Sequence, residues 1–173
     1  MKWVLIAGIF LACLVAAIVV TGMLLPKAHV ATRSARFKHP PEEIWALIAG
    51  DQSWRPDVGQ YQQLPDNNGH RCWREVDKHG RSITFETLES DSPRRLVTRI
   101  ADKDLPFGGS WTYEIATDAD GSTLRITERG EVYNPVFRFV SRFIMGHTAS
   151  IDACLSALGK RLEEGGQVRG TGM

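Results

Sequence analysis

Three kinds of apolar pattern follow one another along the chain. From Trp3 to Leu25 every side chain is apolar or small, and Thr21 is the only clearly polar one. Such a run has no buried and exposed side; it predicts one uniformly apolar helix. Between Gln60 and Val132 the pattern alternates with a period of two, the mark of half-buried strands. Trp111, Tyr113 and Ile115 share a face opposed by Thr112 and Glu114. Leu124 and Ile126 oppose Arg125 and Thr127, and Ile83 and Phe85 oppose Thr84 and Glu86. Over Arg71–Val76 the parity stays open, because Trp73 and Val76 would point opposite ways. After Asn134 the period becomes helical. Phe137, Val140, Ile144, Ile151, Leu155, Leu158 and Leu162 fall in one stripe at 100° per residue, with Arg138, Arg142, Asp152 and Lys160 opposite.

Turn and cap signals divide these patterns into elements. A first strand is expected over His29–Phe37. Pro40-Pro41-Glu42-Glu43 opens a short helix that carries Ile44, Leu47 and Ile48 and ends at Gly50. Asp51–Val58 reads as a second short helix or turn. Six strands follow, around Gln60–Leu64, Arg71–Val76, Ser82–Leu88, Leu96–Ala101, Ser110–Ala116 and Thr123–Val132, separated by tight turns that make neighbours antiparallel. One long helix then runs from the cap Asn134-Pro135 to about Leu162 and stops before Gly165-Gly166. A sheet with one apolar face and a long striped helix has an economical arrangement: the sheet curls around the helix. The division is an anchor at residues 1–27, a domain at 28–165 and a flexible tail at 166–173.

The first apolar run is long enough to cross ~30 Å of hydrocarbon, which takes about 20 residues. A cleaved signal peptide would show an apolar region of about 7–15 residues and a small-residue cleavage site. Leu25-Pro26-Lys27-Ala28 offers no such site, and Cys13, after Phe10-Leu11-Ala12, comes too early for a lipoprotein site. The run therefore reads as an uncleaved single-pass membrane anchor. Lys2 precedes it, while Lys27, Arg33, Arg36 and Lys38 follow, so the positive-inside rule favours a cytoplasmic domain. The short lysine-bearing N-terminus also suits the opposite orientation.

With Lys2 set aside, the chain carries 20 basic and 20 acidic residues, a balance that argues against a nucleic-acid partner. Cys72 and Cys154 make neither a disulfide framework nor a metal spacing, and read as small half-buried hydrophobes. His29, His39, His70, His79 and His147 are scattered, and no pair has metal-ligand spacing within one element. Neither a nucleophile elbow nor a phosphate-cradling glycine loop is present. No catalytic residue, metal or cofactor is assigned, and the oligomeric state is left open.

The order strand, two short helices, six strands, long helix resembles the helix-grip fold of the SRPBCC (START-like, polyketide cyclase/dehydrase and lipid transport) superfamily. The segments that carry the resemblance are Pro41-Glu42-Glu43-Ile44-Trp45, Trp54-Arg55-Pro56-Asp57-Val58, Leu105 to Glu114 and Gly130 to Phe139. It covers about residues 28–163, is specific for an α+β fold and weak for function, because one fold hosts many roles. The resemblance implies a ligand cavity between sheet and long helix, walled by Phe85, Trp111, Tyr113, Ile126, Val140, Ile144 and Ile151. The competing reading is a dry core made of the same residues.

Strict alternation puts Glu128 inward, where desolvation would raise its pKa and suit it to acid–base work. It joins the cavity residues on that ground. A bulge near Gly130, turning it outward or towards Arg129 or Arg99, is the favoured reading. His147, at the stripe's edge, is either a proton shuttle or a packing residue, and packing is favoured. Val136, Phe139 and Phe143 widen the apolar surface beside Arg138 and Arg142. They form either a membrane-contacting or ligand-entrance edge or, as favoured, a surface packed under the Trp45 and Trp54 region. The leading expectation is a membrane-anchored, non-catalytic binder of a hydrophobic small molecule, a lipid or isoprenoid. A cyclase/dehydrase-like enzyme using Glu128, Tyr113 or His147 comes second, and a protein-interaction module with a packed interior third.

Overall fold

The computed structural model describes residues 2–169, with side-chain surroundings to residue 163. A 23-residue helix, α1 (Lys2–Leu24), leads directly into the domain. Among the described residues it is the one helix long and apolar enough to cross a membrane. The domain follows as β1 (Ala28–Phe37), α2 (Pro41–Ile48), a 3₁₀ turn (Gln52–Trp54), β2 (Val58–Asn67), β3 (His70–Asp77), β4 (Ser82–Asp91), β5 (Arg95–Ile100), β6 (Phe107–Asp118) and β7 (Gly121–Val132). Two further helices, α3 (Pro135–Val140) and α4 (Ala149–Arg169), complete it.

All seven strands join one antiparallel sheet in the order β1-β7-β6-β5-β4-β3-β2. This is the curved sheet of a helix-grip fold, with the strands where the turn signals put them. Parity holds as read, since Tyr113, Ile115, Leu124 and Ile126 are buried on the inner face. The face left open in β3 is settled by Trp73 and Glu75, both buried. Against this face pack Ile151, Leu155, Leu158 and Leu162 of α4 and Ile44 and Ile48 of α2.

The single long helix of the sequence reading is two helices. Between them Ser141–Met145 forms a wide turn, closed by the Gly146 amide donating to the Ser141 carbonyl at 3.0 Å. Gly146 then takes φ +77°, a conformation open to glycine at little cost. A wide turn carries an extra residue, so side chains beyond Val140 rotate off the stripe. Ile144 consequently lies 72% exposed instead of facing the sheet. At the other end α4 continues through Gly165-Gly166 to Arg169, past the expected stop, and the last four residues of the expected tail lie outside the described residues.

The surface of α3 also differs from the favoured reading. Trp45 and Trp54 pack on the main core. It is α1 that lies against α3. A Cβ on Gly22 would overlap the Pro135 carbonyl, so glycine is what allows the two backbones to meet. Arg138, expected on a solvated face, is buried. Its Nη1 donates to the Leu25 carbonyl at 2.9 Å and its Nη2 to the Tyr133 carbonyl at 3.3 Å, covering the end of α1.

Leu158 is fully buried where α4 meets the sheet. Leu158→Ala should lower the unfolding free energy by about 2–5 kcal/mol, measured by urea denaturation in mild detergent. A change within experimental scatter would show that α4 does not close the core.

Candidate functional site

Where α4 stops short, the inner face of the sheet is left uncovered, and a cavity of about 380 Å³ lies there. Strands β4–β6 supply its apolar walls through Ile83, Phe85, Ile100, Phe107 and Trp111, and the broken helix closes it with Phe137, Met145 and His147. Trp73 stacks on Phe85 at 5.5 Å, and Phe107 on Phe137 at 6.2 Å. Of the eight residues named from sequence, Phe85, Trp111, Tyr113 and Glu128 line this space. Ile126 and Ile151 lie fully buried in the core beside it, Val140 is half-buried on α3, and Ile144 faces outward.

Besides Thr98, Ser110 and other scattered polar groups, two clusters of titratable side chains reach the cavity. On the β1–β7 side the registers run unbroken, β7 pairing β6 from Phe107–Val132 to Asp118–Gly121 and β1 from Ala28–Glu131 to Phe37–Ser122. No bulge intervenes, so Glu128 points inward from a row that reads Ala31, Glu128, Trp111, Thr98 across four strands. The favoured outward reading is thereby corrected. Arg99, its suggested partner, pairs with Glu86. Glu128 Oε1 lies 3.3 Å from His29 Nε2, and Oε2 accepts from Ser150 Oγ at 3.2 Å. The His29 ring stacks on His147 with centroids 4.0 Å apart, and His147 Nδ1 lies 3.2 Å from Ser141 Oγ. Two glycines make room: Gly109 faces Gly130 across β6 and β7, and a Cβ on Gly130 would strike the His29 ring.

On the β3 side the group is a buried ion pair. Arg55 Nη1 lies 3.3 Å from Glu75 Oε2, and Trp73 Nε1 donates to Glu75 Oε1 at 2.9 Å. Burial pushes the Glu75 carboxyl up, with Arg55 and Trp73 pulling it back. Burial also works against the Arg55 charge, but Glu75 and Asp57 more than offset it and hold the guanidinium above its ordinary value. The pair's donors and acceptors engage one another, which suits a fixed polar wall. Tyr113 is driven upward by burial and stays a neutral phenol, and burial pushes the Cys154 thiol up to about 11.

The alternation pattern therefore reached the strand side of the site and missed His29, Arg55 and Glu75. Ala31 and Phe37 share the parity of His29, so the inward face of β1 was available to find it. Nothing local marks Arg55 or brings His29 to His147, 118 positions away in sequence. Among the described residues no group of three or more His, Cys, Asp or Glu side chains could hold a metal ion.

Burial, the His29 ring and Arg142 hold His147 below the ordinary histidine value, with Glu128 acting the other way. A histidine depressed in the folded state binds fewer protons there than when unfolded, so stability falls as pH drops through the ordinary histidine range. His147 should titrate below about 6.5 by NMR, and His147→Asn should flatten the stability profile between about pH 7 and 5. A midpoint above 6.5 would contradict the arrangement.

Comparison with known proteins follows the same lines. No curated protein sequence matches the chain. Among solved structures, a protein of Mesorhizobium loti superposes with a TM-score of 0.61 at 14% identity, over 79% of this chain and 98% of its own. Norcoclaurine synthase from Thalictrum flavum gives 0.60 at 12%, over 79% and 87%. The di-domain ARO/CYC BexL of the BE-7585A biosynthetic pathway gives 0.63 at 12%, over 78% of this chain and half of its own. At such identities the likeness concerns the fold. The model of one family matches residues 28–163, the whole sheet with its covering helices, and by that match the chain belongs to the polyketide cyclase/dehydrase and lipid transport family.

Proposed function

We propose that this protein is a membrane-anchored, non-catalytic binder of one hydrophobic small molecule, of lipid or isoprenoid type, held between the sheet and the broken helix. The observation that carries the reading is the cavity: about 380 Å³ with aromatic and aliphatic walls and two clusters of charged or titratable side chains, at Glu128 with its histidines and at Arg55–Glu75, beside scattered polar groups such as Thr98 and Ser110. That size and balance suit a single small apolar ligand with a polar group to be oriented. Phe85, Trp111 and Tyr113 would contact its apolar part, and Glu128 with its histidines the polar end. Anchoring by α1 is supported by 23 residues of helix whose apolar side chains are largely exposed, against about 20 needed to span. The positive charges after α1 favour a cytoplasmic domain.

One observation favours a second reading, an acid–base enzyme of cyclase/dehydrase type. Glu128 is held in the cavity wall by His29 and Ser150, and His147, kept neutral near pH 7, stacks beside it. A carboxylate and two imidazoles in such contact can take and return a proton.

Native mass spectrometry of the full chain released from detergent, with analysis of its organic extract, tests the binding reading. A stoichiometric apolar adduct is expected, and Ile83→Trp, which adds bulk to the cavity wall, should remove most of it. An empty protein that also ignores added lipids and isoprenoids would overturn the reading. The same measurement on Glu128→Gln separates binder from enzyme. A binder retains the same species, whereas an enzyme stalled at its substrate retains one of different mass with stability unchanged.

A further inference from the structure

The segment that closes the cavity also carries the largest exposed apolar surface of the domain. On α3 and the wide turn Val136 is 45% exposed, Phe143 59%, Ile144 72% and Met145 57%. Their backbone neighbours Phe137, Gly146 and His147 line the cavity from the other side. One short stretch of chain thus separates the binding space from an apolar patch.

The length of α1 fixes what covers that patch. Its 23 residues extend about 34 Å at ~1.5 Å each, against ~30 Å of hydrocarbon. Only about three residues can lie outside the apolar layer. Yet α1 packs on α3, with Gly22 buried against Pro135 and Ile18, Val19 and Thr21 partly covered. Ile18 is about 10 Å inside the helix's end. A helix that rests on those residues lies at the level of the acyl chains and headgroups. The exposed Arg142, beside Phe143, supplies a cation at headgroup depth.

We infer that α3 and the wide turn are embedded in the bilayer interface, so that the cavity wall at Met145–His147 is the portal to lipid and the ligand is exchanged with the membrane without crossing water. This rests on the anchoring reading and deepens it: the patch is covered by the bilayer, and neither by solvent nor by a second copy of the chain.

The test uses the full chain in phosphatidylcholine vesicles with Cys13→Ser and one added cysteine, Ile144→Cys on the turn or Ser156→Cys on the exposed side of α4. Each is labelled with an environment-sensitive NBD group, and the parent without the added cysteine controls for Cys72 and Cys154. The label at 144 should emit blue-shifted and be strongly quenched by acyl-chain bromines, while the label at 156 reads water. Two water-like labels on protein that survives an alkaline wash would overturn the inference and leave the anchor standing. Protein removed by the wash would overturn both. A blue shift at 144 without bromine quenching would assign the patch to a second copy and overturn it too. Loading is read by energy transfer from the cavity tryptophans to cis-parinaric acid supplied in the vesicles. The double variant Phe143→Ser, Ile144→Ser should load several-fold more slowly and reach the same final signal. An unchanged rate would overturn the portal, and no transfer even in the unmodified chain would remove its cargo.

Discussion

A seven-stranded antiparallel sheet with an apolar inner face has to be covered, and the cover here is too short. From Ile151 onward α4 lies on the sheet and supplies five fully or nearly buried side chains. Before Ile151 the chain turns away at Gly146, and the strand residues it would have met stay open to a cavity. Core and cavity are therefore one surface, divided by the point at which a helix breaks. The break sits where a wide turn and one positive-φ glycine coincide, so a single backbone choice sets how much of the sheet is core.

Much of this was legible in the sequence because the physics that sets it is local. Alternation sets the strand faces, glycine and proline set the turns, and the order of elements by itself resembles a known fold. The failures have two causes, a local break that periodicity does not report and contacts distant in sequence. The stripe from Phe137 to Leu162 is continuous in projection, yet the extra residue of the wide turn changes its phase, and no periodicity reports that. Arg138 reads as a solvated arginine until its acceptors, the Leu25 and Tyr133 carbonyls, are known. Glu128 shows the reverse case. Simple alternation placed it inward, and the bulge invoked to move it out was absent.

The polar groups of the cavity divide in a way that composition could not reveal. Arg55 and Glu75 engage each other and Trp73, so that side of the cavity is fixed in charge and shape. Removing one partner of such a buried pair is expected to cost about 3–5 kcal/mol. Glu128 and His29 are joined at 3.3 Å and His29 stacks on His147, so this group draws on three separate places in the fold, β7, β1 and the turn before α4. The first group joins two neighbouring segments of chain; the second ties the edge strand to the turn that breaks the helix.

Only Leu25, Pro26 and Lys27 lie between α1 and β1, a leash of about 10 Å even when fully extended. Arg138 and the Gly22–Pro135 contact shorten it further by holding the helix end to the domain. With α1 in a bilayer, the domain becomes a head on a stiff neck. It cannot lean far from the surface, and its tumbling is restricted to that of the anchor. Any donor or acceptor that exchanges cargo with it must come to the same membrane, where confinement to a plane raises their effective concentration without any added affinity.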